Sequence, residues 1–247
     1  MSRFTSLCSV VLFVGISTTA EADLLHGPDP YLSFSGDSPF ASTLAAGEFV
    51  YFHLEDFEDG LANTPGLILP PGSIALTTSN TFVDSVAEDN VDGEWGSFYT
   101  DETFTTQPFM FSFDAIVLGG LPTHAGIVVT DIQVLDGSFG GITSDVEVTV
   151  EAFGPGGVSL GSVTDPSFGN FNTVLDTGED RFFGFFAAGG IESFGVSAVT
   201  PAGSILTMEF DHIQYGSVVP EPSSLLLACI GGLGLIGYVR RRRRHVA

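Results

Sequence analysis

No lysine occurs anywhere in the 247 residues, and six of the seven arginines lie at the two ends, at Arg3 and at Arg240 to Arg244. Arg181 is the one cation between them. All of the 30 acids except Glu21 and Glu221 fall between Asp23 and Val219, so that stretch sets 28 acids against one base, a net charge of −27. A surface of that sign cannot neutralise phosphates, which excludes nucleic acid as a partner. A P-loop is excluded too, because the lysine that reaches the phosphates is missing. Cysteine is nearly absent: Cys8 and Cys229 each sit in an apolar run near one end, which leaves the stretch between them without disulfides or thiol chemistry. Charged residues make up only 15% of the chain, yet hydrophobic residues make up 44%, a composition that folds.

What is abundant is glycine (31) and phenylalanine (23), the composition of turns and aromatic-rich strands. Asp145–Ala152 alternates cleanly, with Val146, Val148 and Val150 on one face and Glu147, Thr149 and Glu151 on the other. Phe109, Phe111 and Phe113 alternate in the same way. Further strands are expected at 49–57, 126–134, 182–187, 193–199 and 204–215, with turns at Pro70–Gly72 and Gly154–Gly157. Helical periodicity is not sustained in any window between the two ends. The pattern predicts an all-β fold, a single antiparallel β-sandwich of jelly-roll type, over residues 23–217.

Both ends read as addresses. Arg3, the apolar run Leu7–Ile16 and the small-residue close Ala20-Glu21-Ala22 form a secretory signal peptide over residues 1–22, cut by signal peptidase after Ala22. At the other end, residues 218–247 carry Val219-Pro220-Glu221-Pro222, then Ser223–Val239 without a charge, then Arg240, Arg241, Arg242, Arg243 and Arg244. As a helix, 223–239 spans roughly 25 Å, against about 30 Å for a bilayer core. The arginines act as a stop-transfer cluster that stays cytoplasmic and leaves the body outside.

This tail resembles the PEP-CTERM sorting signal, which has a Pro-Glu-Pro motif, a transmembrane segment and a basic end in that order. The resemblance implies an exosortase as processing enzyme and a Gram-negative-type host that makes exopolysaccharide. It also makes Glu221 part of a recognition sequence. Within the body, Phe57-Glu-Asp-Gly60, Asn63-Thr-Pro-Gly66, Pro122–Asp131, Gly178–Gly184 and Asp211–Gly216 resemble an ectodomain that often accompanies this tail. That second resemblance spans most of residues 49–216 and implies no reaction.

Two acidic clusters are candidates for Ca²⁺. In the first, Val50, Phe52 and Leu54 are expected to face the core, with Asp56 and Glu58 continuing that face. Leu206, Met208 and Phe210 are expected to do the same in the last strand, followed by His212 and Gln214. If these strands are neighbours, acids of the run Glu55–Asp59, Glu55 and Glu58 among them, approach Glu209 or Asp211, and carboxylates held that close need a cation or a proton, with Ca²⁺ the natural counter-ion. In the second, Glu88, Asn90 and Asp92 alternate ahead of Gly93, like the opening of an EF-hand loop, although position one is Glu and position twelve is Tyr99. Solvated acids are the alternative at both places.

Catalytic signatures do not appear: there is no Gly-x-Ser-x-Gly, no His-Glu-x-x-His and no zinc spacing. His124 and His212 read as hydrogen-bonded structural histidines, and Arg181 as a buried or semi-buried ion pair and not a ligand clamp. The expectation is an exported, non-enzymatic cell-surface or extracellular-matrix protein associated with exopolysaccharide and held in the membrane before processing. The alternatives are a carbohydrate-binding module, for which Trp95 and Tyr99 are the candidate stacking residues, and a secreted glycan hydrolase, which needs two carboxylates facing one cleft.

Overall fold

The computed structural model describes residues 24–77, 86, 95–100, 107–135, 146–168, 180–199 and 205–218. They form two antiparallel sheets. The larger has the order β1 (Leu24–Pro30), β10 (Arg181–Phe186), β7 (His124–Leu135), β12 (Ile205–Val218), β5 (Trp95–Thr100) and β4 (Gly72–Thr77). Strand β2 (Phe49–Glu55) lies beside the C-terminal half of β12. The smaller sheet runs β3 (Leu67–Ile68), β6 (Phe109–Phe113), β11 (Ser193–Val199), β8 (Val146–Gly154) and β9 (Val158–Phe168). Among the described residues helices are confined to single turns: α1 (Phe34–Asp37), α2 (Ala41–Ala45) and α3 (Ala115–Leu118).

The facing surfaces of the sheets enclose the main core. Phe111 stacks on Phe194 at 5.1 Å and meets Phe210 edge-on at 5.1 Å, so the two sheets interlock through aromatic rings. Burying each such ring fully is worth about 1.5–3 kcal/mol, and offset or T-shaped geometry adds to that. Strand β8 shows how the sequence encodes this face. Val146, Val148 and Val150 are buried in the core, while Glu147 is exposed and Thr149 and Glu151 are half-buried.

The large sheet is covered on its other face as well. A segment running from Tyr31 through α1 and α2 lies there, and Tyr31, Phe40, Val86, Val128 and Phe182 form a second, smaller cluster joined by Phe49 and Phe52. This second layer overturns the expectation about which residues of β2 face the core. In β2 it is Tyr51 that packs on the main core, and Glu55 lies opposite the core residue Ile213. Phe52 belongs to the outer cluster and Val50 is 65% exposed. With both faces of the sheet covered, both phases of a strand carry apolar residues, and alternation no longer says which is inner.

In β12, Leu206, Met208 and Phe210 do face the core, but the register to β7 shifts between Asp211 and Gln214. His212 takes the left-handed backbone conformation there, with φ 42°. Such a bulge turns the strand over. Ile213 and Tyr215 therefore enter the core in place of His212 and Gln214.

Candidate functional site

The Glu55 carboxylate, 3% exposed, organises the loop that follows β2. It accepts hydrogen bonds from the backbone N–H groups of Phe57 (3.2 Å), Asn63 (3.0 Å) and Thr64 (3.1 Å) and from Thr64 Oγ1 (3.0 Å). Four donors occupy the acceptor capacity of one carboxylate. Phe57 sits at φ 58°, an uncommon backbone for a bulky residue, with its ring fully buried. Glu58 Oε1 accepts from Gly96 N at 2.6 Å and ties the same loop to β5. A Cβ at Gly96 would stand 2.3 Å from the Phe57 carbonyl oxygen, so that close approach requires glycine.

Beneath the N-terminal segment, on the outer face of the large sheet, lies a buried polar network. Gln214 Nε2 donates to the Tyr31 hydroxyl at 2.9 Å, and Ser38 Oγ donates to Gln214 Oε1 at 2.5 Å. The Tyr31 oxygen is 2.8 Å from His212 Nδ1. Either atom can be the donor there, according to which imidazole nitrogen carries the proton. Asp211 is buried beside it, with Oδ2 accepting from Val86 N (3.0 Å) and Oδ1 from His212 N (2.7 Å). Tyr31 is the residue that sequence reasoning missed here. It lies in an irregular stretch punctuated by Pro28, Pro30 and Pro39, where no periodicity marks a buried ring.

His124 begins β7 inside a ring of phenyl groups, with centroids 4.7 Å from Phe186, 5.2 Å from Phe49 and 5.4 Å from Phe40. Burial first, and the neighbouring His26 second, lower its pKa to about 4. At neutral pH it is an uncharged packing element that shares a 3.0 Å hydrogen bond with Thr123 Oγ1. Burial raises the phenols of Tyr51 and Tyr215 to about 12. They serve as neutral donors to the carbonyls of Gly120 (3.0 Å) and Pro65 (2.6 Å). Arg181 stands 3.6 Å from Asp165, an ion pair that links β10 in one sheet to β9 in the other, and its Nη1 donates to the Asp180 carbonyl at 3.0 Å.

Strands β2 and β12 are neighbours, as expected, but Glu55 and Asp211 do not converge. Glu55 faces the core side opposite Ile213, whereas Asp211 lies opposite Val128 of the outer cluster. The bulge that begins at Asp211 separates them. Among the described residues no group of three or more His, Cys, Asp and Glu is placed to hold a metal ion. Glu88, Asn90 and Asp92 lie outside the described residues, as do Ala20, Ala22, Val219 to Pro222, Arg240 to Arg244 and the side chain of Trp95. Tyr99, half-buried, lies across from Glu209 and Ser73.

Residues 218–244, which start at the last residue of β12, match the PEP-CTERM protein-sorting motif. The chain carries a PEP-CTERM sorting tail. PEP-CTERM marks an exported, exosortase-processed surface protein, anchored in the membrane before processing. No helix of the described residues is long and apolar enough to cross a membrane, and Ser223–Val239 lies outside them. No curated protein matches the chain. Among solved structures, the C-terminal family 22 carbohydrate-binding module of Clostridium thermocellum Xyn10B aligns at 11% identity with a TM-score of 0.35, covering 71% of this chain and 96% of that one.

Proposed function

We propose that the PEP-CTERM protein is a non-enzymatic component of the cell surface or extracellular matrix, delivered by its tail and retained there through exopolysaccharide. The sorting motif at 218–244 carries this reading. What supports a structural role for the body is the use to which its chemistry-bearing side chains are put. The Glu55 carboxylate holds a loop, Asp211 holds Val86, His212 joins a buried network and His124 is an uncharged packing group. Calcium, on this reading, belongs to Glu88, Asn90 and Asp92, because Glu55, Glu58 and Asp211 spend carboxylate oxygens on backbone amides.

The test has two parts. Replacing Pro220, Glu221 and Pro222 by alanine leaves the chain in the membrane fraction at its unprocessed mass, because hydrophobicity inserts the segment while the motif is what the enzyme reads. In a host unable to make exopolysaccharide, the processed protein moves from the cell-associated fraction to the medium. Normal processing of the altered motif would refute the sorting reading. An unchanged distribution in the polymer-deficient host would refute the retention reading.

A further inference from the structure

The strand register brings the start of β1 and the end of β12 to one end of the sandwich. Leu24 pairs with Phe186, Phe186 with His124, His124 with Gly216 and Gly216 with Phe52, in one row across the large sheet. The chain therefore enters at β1 and leaves at Val218 from the same end. Four residues, Val219–Pro222, separate that exit from the apolar run that begins at Ser223. Fully extended they reach about 14 Å. In the anchored precursor this end of the domain therefore lies within that reach of the bilayer surface.

The loops at that end carry exposed apolar side chains. Helix α3 connects β6 of one sheet to β7 of the other across this end, and Ile116 and Val117 on it are 92% and 59% exposed. The helix is a firm mount. Asp114 caps it by accepting from the N–H groups of Ile116 (2.8 Å) and Val117 (3.2 Å), and Leu118 packs against the main core. The exit strand is tied to the chain that follows α3 by the hydrogen bond from Val218 N to Thr123 Oγ1 (3.2 Å). Val158, 64% exposed, projects from the β8–β9 hairpin, whose Gly154 end is level with Ser193 and Ser112.

We infer that Ile116 and Val117 dock into the interfacial layer of the membrane that holds the tail, so that the precursor stands end-on to the bilayer with its sorting motif confined at the surface. This rests on the membrane-anchored precursor stated above. Two exposed apolar side chains alone bind membranes weakly, but the short tether makes the contact intramolecular and raises the effective lipid concentration they meet. The charges at this end, Glu48, Asp114 and Glu192, are all acidic, so the surface that fits is zwitterionic and not anionic.

The test uses the full chain with Cys8 and Cys229 changed to serine, in phosphatidylcholine nanodiscs loaded with one chain each. An environment-sensitive fluorophore is placed through Ile116→Cys or, as the control at the opposite end of the sandwich, through Glu147→Cys. The expected result is a blue shift and quenching by nitroxide-labelled lipid at position 116 and not at 147, with the shift reduced when Val117→Asp is added. Equal, water-like emission at both positions on discs that retain the chain overturns the docking and leaves the anchor standing. A chain that does not stay on the discs overturns the anchor and the docking together. A shift at 116 that needs two chains per disc assigns the patch to a second copy and overturns the lipid contact.

Discussion

The two faces of the large sheet are held in different ways. The inner face packs aromatic and aliphatic side chains, Phe98, Phe111, Phe194 and Phe210 among them, whose attraction is non-directional and grows with buried area. The outer face buries Tyr31, Ser38, Asp211, His212 and Gln214 under the N-terminal segment, where each polar group must find a partner at the correct distance and angle. An inner-face substitution loses contact area and leaves a cavity. One on the outer face strands a donor or acceptor, and the cost is set by the partner left behind. The outer layer is the more specific of the two, since it fixes one arrangement of the segment from Tyr31 to Phe40 over the sheet.

Three measurements sharpen that contrast. The largest effect belongs to the inner face. Phe111→Ala removes a ring shared by both sheets and lowers unfolding stability by about 3–5 kcal/mol, read from denaturant titration with an unchanged m-value. A loss under 1 kcal/mol would show that Phe111 does not join the sheets.

Next comes the outer face. Asp211→Asn weakens two hydrogen bonds to backbone amides and costs about 2 kcal/mol. That cost is expected to be the same in CaCl₂ and in NaCl of matched ionic strength, because the oxygens accept from the backbone of Val86 and His212. A loss seen only with calcium present would return Asp211 to the cation site expected from sequence.

The smallest effect is a pH dependence. The folded pKa of His124, about 4, lies below the ordinary imidazole value of 6.5, so the unfolded chain binds a proton first. The stability tied to neutral His124 is complete above pH 6.5, is lost as pH falls from there to about 4, and changes no further below. His124→Phe removes that part of the slope relative to the parent chain over the same window, measured by melting temperature. Parallel curves for the two proteins would mean that His124 is not desolvated.

Alternation placed β6 and β8 and their inward residues, because these two strands of the smaller sheet read with a period of two, and the span of β11 was anticipated without its inward face. It located β2 and β12 too, and anticipated that they are neighbours. It misassigned the inner face of β2 because the sequence does not announce a second covering layer. It misplaced His212 and Gln214 because a bulge leaves no compositional mark when the residue in the left-handed conformation is a histidine. Strands β1, β3, β4, β5 and β9 were not separately legible: β3 has two residues, β4 opens on a glycine, and glycine or proline interrupts β1, β5 and β9.

What the sequence determined by itself is the destination and the class of fold. A signal such as Val219-Pro220-Glu221-Pro222 with its apolar run and arginines is local and contiguous, and the charge asymmetry is a sum that needs no coordinates. The tertiary structure alone decided which carboxylates meet and which do not. It also decided that Tyr31 reaches His212 across 181 positions, and that the start of β1 and the end of β12 lie at one end of the large sheet. Those facts depend on register between strands far apart in the chain, and one bulge is enough to send Asp211 and Glu55 to opposite faces of the same sheet.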